Sequence, residues 1–166
     1  MKKYLIYILI ILNISLLRSE FLEFYDSEYN AHIGSVARTD NFQTFVYDGY
    51  KFAVLEDLDH TRFFIISTDY SMVTGYRGTT TMGIIIKNDL TVESLEIIDS
   101  EETRGYISRL ISMGFPQRFQ NFKQGDDIEI ITGATMTSEA ILISVNECIE
   151  IFRPIIEAWI LKAVGE

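Results

Sequence analysis

Between residues 42 and 98 the chain is written as short alternating apolar stretches joined by tight-turn dipeptides, a pattern that commits it to antiparallel pairing. Phe42–Tyr47 runs into Asp48-Gly49, and Tyr50–Leu55 follows. Asp-Gly accepts the positive backbone angles of a two-residue turn, so these segments predict a hairpin. A third strand is expected at Arg62–Ser67, and Thr80–Lys87 pairs with Thr91–Ile98 across Asn88-Asp89. Gly83, inside one of these strands, marks a bulge or a close approach.

The second half changes period. Ile107, Leu110 and Ile111 give a helical stripe that Gly114-Phe115-Pro116 ends, and Gln117–Phe122 reads as a short amphipathic turn, with Phe115, Phe119 and Phe122 in the core. Gly125-Asp126-Asp127 turns into a last short strand through Ile128, Ile130 and Ile131. A long helix is expected over Glu139–Phe152, interrupted at Arg153-Pro154 and resumed over Ile155–Val164, with Trp159 packed on the core or on a partner. The fold class is therefore α+β, a mainly antiparallel sheet with helices packed on it.

With 166 residues, 48% of them apolar, the chain is long enough for one substantial core, placed at residues 42–166. Residues 20–41 read as a connector carrying one short helix. Residues 1–19 form a separate segment, with Lys2 and Lys3 followed by the apolar run Tyr4–Leu17. As a helix that run reaches about 21 Å, short of a hydrocarbon core of about 30 Å, which favours a signal peptide over a full span. No small-x-small cleavage site follows it, so a cleaved signal peptide and a retained N-terminal membrane anchor both fit. Either places the domain in the extracytoplasmic space, on the outer face of the cytoplasmic membrane or in a periplasm.

Residues 20–166 hold all 24 acidic side chains and 11 of the 14 basic ones, a net charge of −13. Nucleic acid is thereby an unsuitable partner, and so is an anionic lipid surface. Cys148 is the single cysteine and falls on an apolar helical position, which predicts a buried, inert thiol. His32 and His60 lack neighbours at ligand spacing, so no metal site is expected.

Three stretches carry chemistry. In Thr132-Gly133-Ala134-Thr135-Met136-Thr137-Ser138, hydroxyls gather around a glycine at a helix start, where unpaired N–H groups and the helix dipole favour an anion such as phosphate. The same residues also suit a plain helix cap at Thr135 or Thr137. In Thr74-Gly75-Tyr76-Arg77-Gly78 two glycines flank an aromatic, which by itself says only that a loop turns sharply. Ser100-Glu101-Glu102-Thr103-Arg104-Gly105 precedes a helix, a composition that capping alone would explain.

Taken in order, Gly-Tyr-x-Gly, Glu-Thr-x-Gly and Thr-Gly-Ala-Thr-x-Thr-Ser resemble the FMN-binding domain found in the C subunit of sodium-pumping NADH:quinone reductase and the G subunit of the Rnf complex. The resemblance covers residues 75–152 and implies FMN as cofactor, its phosphate at the N-terminus of the last long helix. The implied binding residues are Thr132, Gly133, Ala134, Thr135, Thr137 and Ser138 around the phosphate, Glu102 and Thr103 beside the ring, and Tyr76 and Gly78 covering it. Arg104 stands where the family has proline. The resemblance further implies a covalent phosphodiester at Thr135, installed after export by a separate flavin transferase. Glu129 stands where the modification pattern has aspartate. Electron transfer alongside membrane redox subunits is then the expected function, not stand-alone catalysis. A sensory flavin module and an exported binder of another anionic ligand are the readings from other classes.

Overall fold

The computed structural model describes residues 20–56 and 61–164, so the N-terminal segment 1–19 and His60 lie outside the described residues. Six strands form one antiparallel sheet in sequence order: β1 (Leu22–Glu23), β2 (Phe42–Tyr47), β3 (Tyr50–Glu56), β4 (Thr61–Ile66), β5 (Thr80–Lys87) and β6 (Val92–Ser100). Among the described residues the helices are α1 (Ser27–Ala37), α2 (Arg104–Ser112) and α3 (Thr135–Val164), with short 3₁₀ turns at Ser67–Asp69 and Pro116–Phe119. The α+β expectation holds.

Both turn dipeptides act as read. Asp48 and Gly49 take φ of 51° and 85°, the paired positive angles of a tight hairpin turn, and Tyr47 faces Tyr50 across it. The Asn88-Asp89 turn closes β5 onto β6, with the Thr91 N–H donating to Asp89 Oδ1 at 3.0 Å.

Alternation along the strands builds two cores. Phe52, Phe63, Ile65, Met82 and Ile84 face α3, whose Ile141, Val145, Cys148, Ile149 and Phe152 are fully or almost fully buried against them. Ala53, Leu55, Phe64, Ile66 and Ile85 point the other way, onto Tyr29, Ile33 and Val36 of α1. The helix expected within residues 20–41 is thus α1, capped by Asp26, which accepts from the N–H groups of Glu28 and Tyr29. Gly83 is a close approach: a Cβ there would lie 2.9 Å from both Phe64 Cε2 and Val36 Cγ2. Phe115, Phe119 and Phe122 are buried, and Trp159 packs edge-on to Phe21 and Phe52.

Two expectations need correction. Residues 128–131 are not a strand, because side chains take up the backbone groups that a sheet partner would use. Arg118 Nη1 donates to the Glu129 carbonyl at 2.6 Å, the Ile131 N–H donates to Ser138 Oγ at 3.3 Å, and Arg109 Nε donates to the Thr132 carbonyl at 2.7 Å. Nor does Pro154 interrupt the last helix. Pro154 and Glu150, whose carbonyl loses its usual partner, both lie on the exposed side, while Phe152, Ile155 and Ile156 stay buried in one core. Burial on both sides of the proline offsets a penalty of about 3 kcal/mol.

Cys148 is buried as expected, and burial pushes its thiol up to about 12. His32 lies on α1, 4.0 Å from Glu28. Among the described residues, no group of three or more metal-ligating side chains is suitably placed to hold an ion, and no helix is long and apolar enough to cross a membrane.

Candidate functional site

The three chemical stretches meet at Gly75. β4 and β5 are linked by a loop whose tip, Thr74–Thr79, closes on itself through a bridge between those two residues and a 2.9 Å bond from the Gly75 N–H to the Gly78 carbonyl. A side chain on Gly75 would collide with Glu102 Oε1 and come within 3.2 Å of the Thr137 backbone. One glycine therefore touches both the carboxylate after β6 and the first turn of α3.

Two adjacent glutamates brace this loop. Glu101 Oε2 accepts from the Thr79 N–H and hydroxyl, each at 3.1 Å, and its side chain fills the space beside Gly78. Glu102 Oε2 accepts from the Arg77 N–H at 3.2 Å. Glu102 is 6% exposed, yet its other oxygen, Oε1, has no hydrogen-bond partner. A buried carboxylate oxygen left unpaired costs about 1–3 kcal/mol or more, so it calls for a donor that the described residues do not supply.

Thr103 and Arg104 begin α2. The Thr103 hydroxyl makes no capping bond and the residue is exposed. Arg104 is the first helical residue, the position that best tolerates proline, so arginine there leaves the helix start intact. Tyr76 is 59% exposed and meets Tyr106 of α2 edge-on at 5.6 Å.

At the start of α3 the hydroxyls divide. Ser138 is fully buried; its Oγ donates to the Ala134 carbonyl at 2.9 Å and accepts from the Ile131 N–H, which ties the loop to the helix. Thr137 is 1% exposed, and its Oγ1 has no partner. Thr132 and Thr135 are exposed. The capping role open to Thr135 or Thr137 is taken by neither, since the loop-to-helix bonds run through Ser138. Ala134 is buried, and Gly133 takes φ of 82°, a left-handed angle that favours glycine.

The geometry thus brings Gly75, Glu102 and Thr137 into one cluster, with Gly78 and Tyr76 on the same loop as Gly75, and Thr132, Gly133 and Thr135 exposed at the start of α3. Sequence reasoning missed Glu101 as the second brace and Arg109, whose side chain reaches Thr132 from α2. Neither has a local signal. Arg109 meets Thr132 across 23 residues, and only the folded chain brings them together.

Buried oxygens of Glu102 and Thr137 without hydrogen-bond partners, beside a glycine-bearing helix start, give this α+β domain the features of a ligand-binding protein. Residues 75–150 match the family model described as the FMN-binding domain. The match bears out the resemblance read from the three motifs over residues 75–150 and supports a flavin-binding protein. No curated protein matches the chain. The residues present fit FMN. Glu102 Oε1 would accept from a ring N–H, and the Thr137 hydroxyl and the N–H groups of the first turn of α3 would hold the phosphate.

Proposed function

We propose that the protein is an extracytoplasmic electron-transfer relay, exported or anchored by residues 1–19, and that it works as a subunit of an Rnf- or Nqr-type membrane redox complex. Its FMN is joined through a phosphodiester at Thr135, installed by a separate flavin transferase. When bound, FMN supplies the redox chemistry, taking up and passing on one or two electrons. The chain's own residues supply position: Glu102 and Thr103 beside the ring, Tyr76 over it, and the start of α3 under the phosphate.

The carrying observation is the division of hydroxyls at that helix start. Thr135 is exposed, where a modifying enzyme can reach it, whereas Thr137 and Ser138 are buried.

An anaerobic reductive titration of the flavin-loaded protein tests the relay. Reversible reduction is expected at a potential that membrane redox subunits reach, with rapid reoxidation by a quinone analogue. A flavin that stays oxidised with every plausible donor contradicts the relay and leaves a sensory flavin module.

A further inference from the structure

We propose that Arg109 is the residue that reads the flavin phosphate, so that the site before any covalent bond is made prefers FMN over riboflavin, the same ring system without phosphate. The proposal rests on the placement of the phosphate at the start of α3. Arg109 projects from α2, and its Nε donates to the Thr132 carbonyl at 2.7 Å. That bond fixes the guanidinium against Gly133: a Cβ on Gly133 would lie 3.3 Å from Arg109 Nε and 3.5 Å from Cζ. Gly133 thus serves twice, adopting the left-handed turn and leaving room for a planar cation over the loop.

The rest of that guanidinium is unspent. Neither Nη of Arg109 is hydrogen-bonded or ion-paired among the described residues. The arginines at 38, 62 and 118 each meet a glutamate, and Arg153 donates to Gln124. Arg77, Arg104 and Arg153 also meet no carboxylate among the described residues; what sets Arg109 apart is that its exposed guanidinium is held by a carbonyl of the loop at the start of α3. A phosphate dianion approaches against the field of the whole protein, and a helix N-terminus offers it only about half an elementary charge. Arginine adds a full charge and a planar fork of donors that matches phosphate oxygens.

The test uses the full chain produced without a flavin transferase, titrated with FMN and separately with riboflavin. Arg109→Gln should weaken FMN binding roughly 10- to 100-fold, the range of a charge-assisted hydrogen bond, and leave riboflavin binding unchanged. Arg109→Lys should recover part of the loss. A second readout distinguishes charge from a merely structural hold on Thr132. Followed by phosphorus NMR, the second ionisation of the phosphate of bound FMN should sit at lower pH in the wild type than in Arg109→Gln. Equal weakening of both flavins by Arg109→Gln, or an unshifted phosphate titration, overturns the proposal while the flavin site stands. Equal affinity of the wild type for FMN and riboflavin overturns the phosphate placement, and the proposal with it.

Discussion

Glu102 lies in the space that any side chain on Gly75 would need, and the two residues come from motifs separated by a pair of strands. Sequence proximity could not join them; the β5–β6 hairpin does. Gly75→Ala should therefore displace the carboxylate and weaken FMN binding, at an overpacking cost of about 1–3 kcal/mol. A flavin titration alongside a thermal melt checks this. The expected outcome is a clear loss of affinity with a cooperative melt retained.

Glu102→Gln tests the unpaired oxygen separately. The amide keeps the size of the side chain but removes the charge, and one of its two ends no longer accepts. FMN and riboflavin should both weaken, by about 1–3 kcal/mol, since the oxygen is assigned to the ring. Isothermal titration with the two flavins reads the effect directly.

Ser138 and Thr135 should behave as opposites. Ser138→Ala removes a buried hydroxyl that bonds the Ala134 carbonyl and the Ile131 N–H, and should cost about 1–3 kcal/mol of stability in urea unfolding. Thr135→Ala, at an exposed position, should change stability by less than about 0.5 kcal/mol. It should nonetheless abolish the covalent flavin.

Burial holds the Cys148 thiol at about 12, so it stays protonated through the ordinary pH range. The native protein should resist thiol reagents at pH 8, and the modification rate should rise sharply at the denaturant concentration that unfolds the domain. Rapid modification of the folded protein would contradict the assigned packing of α3.

Acid stability should depend on Asp26. The N–H of Tyr29 holds its carboxyl below the ordinary range, against some desolvation, with further help from Lys51 and the Glu28 N–H. A carboxyl depressed in the folded state contributes stability above its unfolded value, about 4, and that contribution is lost as pH falls through the folded value. Asp26→Asn keeps a capping oxygen without the charge. Unfolding measured between neutral pH and pH 2 should show a shallower acid limb for the variant.

Much of the sheet was legible because its strands alternate and its turns are chemically specific. Phe42–Tyr47 and Tyr50–Glu56, joined at Asp48-Gly49, needed no tertiary information. The continuity of α3 through Pro154 was not legible: the proline's local penalty is visible in sequence, but the burial of Phe152 and Ile155 that offsets it is not. The segment Ile128–Ile131 has strand composition, yet Arg118, Arg109 and Ser138 claim its backbone and that of its neighbours. In the site, Glu102 and the hydroxyl-rich turn were readable as motifs. Arg109 was not, because an arginine on a helix has no signature until the loop it serves folds against it.

Acid precipitation of the protein co-expressed with a flavin transferase tests the central claim most directly. Yellow colour should remain with the pellet, and the peptide containing Thr135 should carry the mass of FMN, absent in Thr135→Ala. Colour released to the supernatant would contradict the phosphodiester and leave a reversibly bound cofactor. A protein colourless before precipitation would contradict the flavin site itself.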